Sequence, residues 1–328
     1  MKVIVIGAGS WGTALGNVLA DNGSEVVIYG RNQTVVDEIN NMHTNSRYFE
    51  DCQLNRTITA TTEISAAEGK DMVLLSVPSR ECINVTREIK PYVNEKTIIV
   101  NVAKGFEPKS YRLLSECICE ELDNCCIYAA LLGPSHAEEV VLRKHTTVNI
   151  CCENNEIACM LQKEFSNEYF RVYRNNDLIG CQYGAGLKNI IAIASGILYG
   201  LDLGDNAKAS LMTRGLAEMS RLGVMMGGKK ETFMGLCGMG DLIVTCTSHF
   251  SRNWQAGYQI GRDDSAEEFW KTNTKTVEGV DACRIIKHVA DEKQVSMPIT
   301  QELYKVLFEK KRPSEAINDL MTRTLKSE

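Results

Sequence analysis

The amino-acid sequence predicts an α/β protein in which a doubly wound sheet is followed by a mostly α-helical C-terminal domain. Short apolar runs alternate with helical patterns through the first half, which is typical of crossover units in a parallel sheet. After about residue 177 strand-like runs nearly vanish and long helical patterns replace them. The length of 328 residues suits two domains, which we place at residues 1–177 and 178–328.

Short apolar runs in the first half are the candidate strands. They cover residues 2–6, 25–29, 71–77, 97–101, 125–130 and 146–151, with a weaker candidate at 170–173. Helical patterns lie between them at residues 11–22, 35–41, 81–90 and 111–122. Pro78 is expected to end the third strand, because proline cannot continue the hydrogen-bond ladder.

The second half of the sequence has a different hydrophobic pattern, in which long helical segments replace short apolar runs. Its helical patterns cover residues 180–199, 207–226, 277–291 and 299–308. Short glycine-rich breaks interrupt them, for example at residues 227–228 and 238–240. This half is therefore predicted to be a helical domain.

Overall composition argues against several classes of protein. The formal net charge of −6 disfavours a nucleic-acid-binding protein, which needs a basic surface. The most apolar stretch, residues 190–201, is shorter than the ~20 residues that a membrane-spanning helix needs. The first residues lead directly into a predicted strand, so we expect no signal peptide. We therefore expect a cytoplasmic protein with no integral membrane segment.

The 13 cysteines do not follow a metal-binding pattern. No Cys-x-x-Cys pair occurs, and there are only five histidines. We predict no metal site and interpret the cysteines as reduced thiols, which indicates a reducing compartment.

A glycine-rich turn follows the first predicted strand and opens the first predicted helix. It has the form Gly-x-Gly-x-x-Gly within one ~30-residue strand–helix–strand unit, the context that a dinucleotide site requires. In such a Rossmann-type domain Gly7 permits the tight turn, Gly9 lets the backbone approach the pyrophosphate, and Gly12 lets the helix pack close to the sheet. The backbone N–H groups of Ser10 and Trp11 would lie at the positive end of the helix, where an anion is stabilised.

The end of the second predicted strand bears on the choice of nicotinamide cofactor. NAD sites place an acidic residue there, which binds the ribose 2′-hydroxyl. This sequence has Arg31 instead, which suits the 2′-phosphate of NADPH or stacking on adenine. A surface arginine that merely ends the strand is the alternative, so NADPH has only a slight preference over NADH.

Two segments are expected at the carboxyl ends of strands, where open α/β sheets bind their ligands. Lys104 follows the strand at 97–101, and Gly105 allows a sharp turn there. Residues 133–139 follow the strand at 125–130; Pro134 suits a first helical position, and an acidic pair suits the first turn. Lys104 is a candidate for binding an anionic substrate, with a solvated surface lysine as the alternative.

Lys188 lies in a helical segment that is apolar nearly all round, and such a helix is expected to be buried. A buried lysine is costly unless it is paired, and burial makes its proton easier to release. We interpret Lys188 as a proton donor to a carbonyl oxygen whose carbon accepts hydride. A lysine that extends its charged end to the domain surface is the alternative.

A third cluster follows the glycine-rich break at residues 238–240. Asp241 suits pairing with a catalytic lysine or binding a substrate hydroxyl, and the planar guanidinium group of Arg252 suits a phosphate. Ser251 and Asn253 add neutral donors. Ser251 is equally suited to capping a helix, so a purely local role stays open for this cluster.

Seven short strings occur together in an order that is typical of one enzyme family. They are Gly7-Ala8-Gly9-Ser10-Trp11-Gly12-Thr13-Ala14, Ala103-Lys104-Gly105, Gly133-Pro134-Ser135, Gly186-Leu187-Lys188-Asn189, Gly240-Asp241-Leu242 with Thr245-Cys246, Ser251-Arg252-Asn253, and Val277-Glu278-Gly279. With them the sequence resembles the bacterial type of NAD(P)-dependent glycerol-3-phosphate dehydrogenase, from Met1 to about Leu307. Each string is weak alone, whereas the set is specific.

The resemblance implies roles for individual residues. Lys188, Lys104 and Asp241 would form the catalytic set, with Lys188 as the proton donor. The implied substrate site comprises Lys104, Gly133, Ser135, Lys188, Asp241, Ser251, Arg252 and Asn253. The implied cofactor site comprises Gly7, Gly9, Ser10, Trp11, Gly12, Arg31, Lys104, Ala137, Arg252 and Glu278. Two residues depart from the family pattern: His136 stands where some members have an aromatic residue, and Trp254 stands where an arginine is common. These departures leave open the cofactor preference and the packing of the loops that carry them.

The implied reaction is the reduction of dihydroxyacetone phosphate to sn-glycerol 3-phosphate by NADPH or NADH, which supplies phospholipid synthesis. Hydride attack builds negative charge on the ketone oxygen, and Lys188 and Lys104 would neutralise it. One alternative is a related two-domain reductase of a carboxylate substrate, of the 3-hydroxy acid or ketopantoate type. A second is a non-catalytic NAD(P)-sensing protein, which would be expected to lack one of the two lysines. We also expect a homodimer.

Overall fold

The computed structural model describes residues 1–50, 52–325 and 327, and it divides into two compact units. The first unit runs from Met1 to Leu178, and the second begins at Ile179. Among the described residues no helix is both long enough and apolar enough to cross a membrane.

The first unit contains one eight-stranded sheet. Its strands are β1 (Lys2–Ile6), β2 (Glu25–Tyr29), β3 (Thr59–Thr61), β4 (Met72–Leu75), β5 (Ile98–Asn101), β6 (Ile127–Leu132), β7 (Thr146–Cys151) and β8 (Phe170–Asn175). Their spatial order is β3-β2-β1-β4-β5-β6-β7-β8. Neighbouring strands pair in parallel except β6 and β7, which are antiparallel. The order reverses between β1 and β4, which is where open sheets of this kind bind ligands.

Helices of the first unit cover the sheet. They are α1 (Ser10–Asp21), α2 (Gln33–Met42), α3 (Cys82–Ile89), α4 (Leu114–Glu121), α5 (Ala137–Val140) and α6 (Asn155–Phe165). Val3 and Val5 of β1 belong to one apolar cluster with Leu15 of α1, whereas Ile4 and Ile6 are fully buried outside it. Both faces of β1 are therefore covered, which explains its unbroken apolar sequence.

The second unit is helical. Its helices are α7 (Leu178–Gly200), α8 (Gly204–Met225), α9 (Lys230–Met234), α10 (Asp241–Thr247), α11 (Arg252–Arg262), α12 (Glu267–Thr272), α13 (Glu278–Glu292), α14 (Pro298–Phe308) and α15 (Pro313–Met321), with a π-helical turn at Leu236–Gly240. Most of α7 is buried, as its apolar sequence predicts. Three other helices approach α7 so closely that a Cβ at Gly215, Gly257 or Gly279 would collide with it.

The predicted fold class is confirmed, whereas several details differ. The sheet is mixed, because β7 pairs antiparallel with β6. β3, with three residues, and α6 fall in stretches where no element was predicted. Several short second-unit helices (α9 to α12) and α15 were also missed, because the patterns there are too short or too interrupted to stand out.

Two local predictions near the candidate site or helix ends are wrong. Pro134 does not occupy a first helical position, because α5 begins at Ala137 with His136 as its N-cap. The helix predicted from residue 111 begins at Leu114, because Tyr111 has a left-handed backbone (φ 61°) that an α-helix does not accept.

Candidate active site

The glycine turn after β1 has the backbone geometry of a dinucleotide site. Gly7 has φ +119°, and a Cβ there would collide with the Ser76 carbonyl oxygen, just beyond β4. A Cβ at Gly12 would collide with the Gly7 carbonyl oxygen, whereas one at Gly9 would meet no described atom within 4 Å. The turn is thus tight where the protein packs against itself and open at Gly9, where α1 begins. It fits a pyrophosphate bound to backbone N–H groups.

Asn45 is a contributor to this turn that the sequence did not reveal. Its side chain is fully buried. The amide nitrogen Nδ2 donates to the Ala8 carbonyl oxygen (3.1 Å) and to Thr13 Oγ1 (2.9 Å). Asn45 therefore links the glycine turn to the first turns of α1. No motif marks this asparagine, since its partners lie more than thirty residues away.

Arg31 follows the strand that adjoins the glycine turn. The Gly7 backbone N–H donates to the Tyr29 carbonyl oxygen at 3.0 Å, and the Arg31 side chain is exposed. Asn32 caps α2 by accepting the Thr34 N–H at 2.9 Å. A guanidinium group therefore follows the end of β2, where NAD sites carry a carboxylate.

Lys104 and the residues after β6 lie at the carboxyl edge of the sheet. The Ser79 hydroxyl, just beyond β4, donates to the Lys104 carbonyl oxygen at 2.6 Å. This bond joins the segments that follow two neighbouring strands. Lys104 itself is half-buried. The Ser135 hydroxyl donates to the Gly133 carbonyl oxygen at 3.1 Å, and Ala137 is buried at the start of α5.

Lys188 forms a buried ion pair in the second unit. Its side chain is 4% exposed and that of Asp241 is 1% exposed. The Lys188 Nζ donates to Asp241 Oδ1 and, at 2.6 Å, to Thr245 Oγ1. The Thr245 hydroxyl in turn donates to the Asp241 backbone carbonyl at 2.6 Å. The structure therefore selects the buried, paired interpretation of Lys188 over the surface alternative.

The glycine-rich π-helical turn lets Asp241 reach α7. A Cβ at Gly184, one turn before Lys188, would collide with the Cys237 carbonyl oxygen. The two backbones therefore touch, and Asp241 follows at once as the first residue of α10. Cys246 lies beside the pair, and burial raises the pKa of its thiol to about 12. It remains a neutral thiol at physiological pH and does not compete with Lys188 as an acid.

Asn253 connects three helices of the second unit. Its Nδ2 donates to Asn189 Oδ1 at 2.9 Å, and its Oδ1 accepts the Gly279 backbone N–H at 2.9 Å. Asn189 is the neighbour of Lys188 on α7, and Gly279 follows Glu278 at the start of α13. The amide therefore fixes the start of α11 relative to the lysine and caps one N–H of α13.

Ser251 and Arg252 occupy the start of α11 in different ways. The Ser251 Oγ accepts the Trp254 N–H at 3.2 Å, so this serine does cap the helix. The Arg252 side chain is exposed, and its guanidinium group is available to bind an anion. Trp254 packs into an aromatic cluster, stacked with Tyr258 (5.5 Å between ring centroids) and in contact with Tyr199. This packing accommodates the unusual tryptophan at position 254.

Comparisons with known proteins identify the family. The family description "NAD-dependent glycerol-3-phosphate dehydrogenase N-terminus" matches residues 2–158, and the corresponding C-terminus matches residues 177–318. The chain is 50% identical over 330 residues to the NAD(P)+ glycerol-3-phosphate dehydrogenase of an Exiguobacterium species, covering 100% of this chain and 97% of the relative. This chain belongs to the NAD-dependent glycerol-3-phosphate dehydrogenase family.

Other relatives agree with this assignment. The glycerol-3-phosphate dehydrogenase of Macrococcus caseolyticus is 46% identical, with 98% of each chain covered. The crystal structure of the Coxiella burnetii glycerol-3-phosphate dehydrogenase matches with a TM-score of 0.92 and 36% identity, covering 98% of this chain and 99% of that one. A ketopantoate reductase from Ralstonia eutropha, at 17% identity and a TM-score of 0.59, shares the fold alone.

Within this dehydrogenase family member, the predicted site residues form one group in each unit. In the first unit, Gly7, Gly9, Ser10, Trp11, Gly12, Arg31, Lys104, Gly133, Ser135 and Ala137 all follow the carboxyl ends of β1, β2, β5 and β6. In the second unit, Lys188 and Asp241 are in direct contact, and Asn253 ties Ser251, Arg252 and Glu278 to α7. Sequence reasoning did not assign roles to Thr245, Asn189 or Asn45, which hold these groups in place.

Proposed function

We propose that this chain reduces dihydroxyacetone phosphate to sn-glycerol 3-phosphate by hydride transfer from NAD(P)H, and that its product supplies glycerophospholipid synthesis. The observation that carries the proposal is the buried Lys188–Asp241 pair in a chain whose full-length relatives are glycerol-3-phosphate dehydrogenases. A buried ion pair contributes little net stability compared with apolar residues of similar volume. Its presence in a largely apolar helix is better explained by chemistry.

Reduction of a ketone adds hydride to the carbonyl carbon and a proton to the carbonyl oxygen. NAD(P)H supplies the hydride when it is bound. We assign the proton to Lys188 Nζ, whose positive charge also stabilises the negative charge that develops on the oxygen. Asp241 and Thr245 hold Nζ in one position, and the Asp241 carboxylate stabilises the ammonium form before the reaction.

The remaining substrate contacts are assigned by chemical type. The exposed Arg252 guanidinium group suits the dianionic phosphate, because its planar fork makes two parallel hydrogen bonds to such a group. Ser251, Asn253, Gly133 and Ser135 are proposed as neutral ligands of the substrate. Binding energy from the phosphate, remote from the reacting carbon, orients the carbonyl group for hydride transfer.

Lys104 is proposed to contact both substrate and cofactor. It is half-buried, and its backbone is tied to Ser79 beyond β4, next to the strand that leads into the glycine turn. A second positive charge near the ketone oxygen would share in stabilising the oxyanion.

Cofactor binding is assigned to the glycine turn and to further residues of each unit. The proposed residues are Gly7, Gly9, Ser10, Trp11, Gly12, Arg31, Lys104, Ala137, Arg252 and Glu278. The positive φ of Gly7 and the close approach at Gly12 support the assignment. The exposed Arg31, at the position of the usual NAD-selecting carboxylate, supports a slight preference for NADPH.

We also propose that the chain is a cytoplasmic homodimer. The exposed apolar side chains of Val224, Met225 and Met234 on the second unit support a contact surface. The thirteen free cysteines support a reducing compartment. Size-exclusion chromatography with light scattering tests the dimer: we expect twice the 36.5 kDa chain mass, and a monomer at micromolar concentration contradicts it.

A substrate panel tests the proposed function. Oxidation of NADPH and of NADH is followed with dihydroxyacetone phosphate, ketopantoate and a 3-oxo acid. We expect turnover with the phosphate ester and at least ~100-fold lower kcat/KM with both acids. Dihydroxyacetone, which lacks the phosphate, is the matched control and is expected to react far more slowly. Turnover of an acid but not of dihydroxyacetone phosphate contradicts the proposal, as does NADPH binding without turnover of any substrate.

A further inference from the structure

The loop that precedes α11 makes contacts that the proposed chemistry does not use. It covers residues 248–251 and leads directly into Arg252, the first residue of α11. His249 and Phe250 are exposed, whereas Ser251 is buried. The Arg252 side chain is exposed as well, so burial does not fix its guanidinium group. Its position therefore depends on the backbone that carries it.

Helix α11 itself is fixed against α7. A Cβ at Gly257 would collide with the Ile193 carbonyl oxygen, and a Cβ at Gly196 would collide with the Trp254 carbonyl oxygen. The two helix backbones therefore touch, which leaves little room for α11 to move along or away from α7. Any freedom at the start of α11 lies in the loop that precedes it.

Two contacts fasten His249 to the first turns of α11. The His249 ring meets the Trp254 ring edge-on, with 4.6 Å between the ring centroids and an angle of 88° between the planes. Such an edge-to-face arrangement is a favoured aromatic contact. In addition, the Gln255 Nε2 donates to the His249 carbonyl oxygen at 2.6 Å. Because both partners follow Arg252 in the sequence, the chain on either side of the arginine is closed upon itself.

Other bonds shape the loop and connect it to α7. The Ser251 N–H donates to the Ser248 carbonyl oxygen at 3.2 Å, and the Phe250 N–H donates to Ser248 Oγ at 3.2 Å. These two bonds are local to the turn. The His249 ring adds a contact outside it, since the Tyr199 ring at the end of α7 lies 6.3 Å away with the planes 79° apart.

We propose that His249 is a positioning residue for Arg252. Its ring, packed against Trp254 and next to Tyr199, holds the loop in the conformation that presents the Arg252 guanidinium group to the substrate. This role rests on the proposed function, in which Arg252 binds the phosphate of the substrate. His249 is then a determinant of specificity for a phosphorylated ketone, although it is assigned no contact with the substrate. Because the contact depends on a ring, another aromatic side chain can replace the imidazole.

Steady-state kinetics with dihydroxyacetone phosphate test this role. We expect His249→Ala to raise KM ~5- to 10-fold, the size expected for loss of one edge-to-face pair. We expect kcat to stay within about twofold, because phosphate binding and not the chemical step is weakened. His249→Phe keeps a ring against Trp254 and should restore KM to within about twofold of the unmodified chain. His288→Ala, at an exposed position on α13, is the matched control and should leave both constants unchanged.

Two further measurements separate this role from a general structural one. With dihydroxyacetone, which has no phosphate, kcat/KM of His249→Ala should equal that of the unmodified chain. In the Arg252→Ala background, His249→Ala should change KM for dihydroxyacetone phosphate by less than about twofold, because no guanidinium group is left to position. Calorimetric titration with glycerol 3-phosphate should show the same ~5- to 10-fold weakening in His249→Ala without any turnover.

Four results overturn the proposal. They are an unchanged KM in His249→Ala, an equal loss with dihydroxyacetone, a full effect that persists in the Arg252→Ala background, and a KM that His249→Phe does not restore. Failure of the proposed function is a different result, because the unmodified chain would then not turn over dihydroxyacetone phosphate. In that case the titration still decides the role of His249, and an unmodified chain that binds no glycerol 3-phosphate overturns both.

Discussion

Glu218 on α8 is a buried carboxyl group whose ionisation should be measurable in the stability of the second unit. The residue is 2% exposed. It accepts the backbone N–H of Ile299 at 2.6 Å and that of Thr300 at 3.4 Å, at the start of α14. Burial outweighs these hydrogen bonds and raises the pKa of Glu218 to about 7.

The sign and size of the effect follow from the two pKa values. An unperturbed glutamate has a pKa of 4.5 and the folded group one of about 7, so between these pH values the folded state binds the extra proton. The contribution of Glu218 to stability is therefore fully present below pH 4.5 and is lost as the pH rises through 7. A difference of about 2.5 between the pKa values, at ~1.4 kcal/mol for each pKa unit, corresponds to roughly 3 to 4 kcal/mol.

Urea unfolding of the chain and of Glu218→Gln at several pH values measures this effect. Trp254 and Trp270 lie in the second unit, so fluorescence reports on its unfolding. We expect the free energy of unfolding of the unmodified chain, relative to the variant, to fall by about 3 kcal/mol between pH 4.5 and 7.5. Glu309→Gln, at an exposed position, is the control and should show no such trend. A difference that stays constant with pH to within ~0.5 kcal/mol refutes the reasoning.

Three further predictions concern the two groups of site residues. Gly12→Ala should weaken NADPH binding at least ~10-fold, because the new Cβ would collide with the Gly7 carbonyl oxygen and open the turn; a fluorescence titration with an unchanged Kd contradicts this. Arg252→Ala should raise KM for dihydroxyacetone phosphate ~10- to 100-fold with a smaller change in kcat, since a charge-assisted hydrogen bond is worth ~1.5–3 kcal/mol; an unchanged KM removes Arg252 from phosphate binding. Asn253→Ala should lower the free energy of unfolding by ~1–3 kcal/mol, because the Gly279 N–H loses its buried acceptor. Wild-type stability in that variant would show that the three-helix link is dispensable.

Features dictated by the local backbone could be predicted from the sequence. The glycine turn is one example. Gly7 has a positive φ, Gly9 leaves the start of α1 open, and a Cβ at Gly12 would collide with the turn. All three requirements arise within six consecutive residues, so the local sequence is enough to reveal them. The buried position of Lys188 is another, because the apolar sequence of α7 leaves no solvated face. Ser251 was predicted as a possible helix cap, and its hydroxyl does cap α11.

Long-range contacts could not be predicted in the same way. Asp241 lies 53 residues from Lys188, and its sequence environment fits a lysine partner and a substrate hydroxyl equally well. Asn45 and Asn189 are single polar residues without periodicity, and each acquires its role only when distant segments pack together. The antiparallel pairing of β7 was missed because the apolar pattern of a strand does not record its direction.

The role of Lys188 is tested most directly by kcat of the Lys188→Ala variant with dihydroxyacetone phosphate and NADPH, both saturating. We predict a fall of about 100-fold or more with NADPH affinity retained, as expected for the loss of a general acid, and partial recovery when a small primary amine is added. Lys230→Ala, at an exposed position on α9, should turn over normally. A folded Lys188→Ala variant with near-normal kcat would contradict the proposed mechanism.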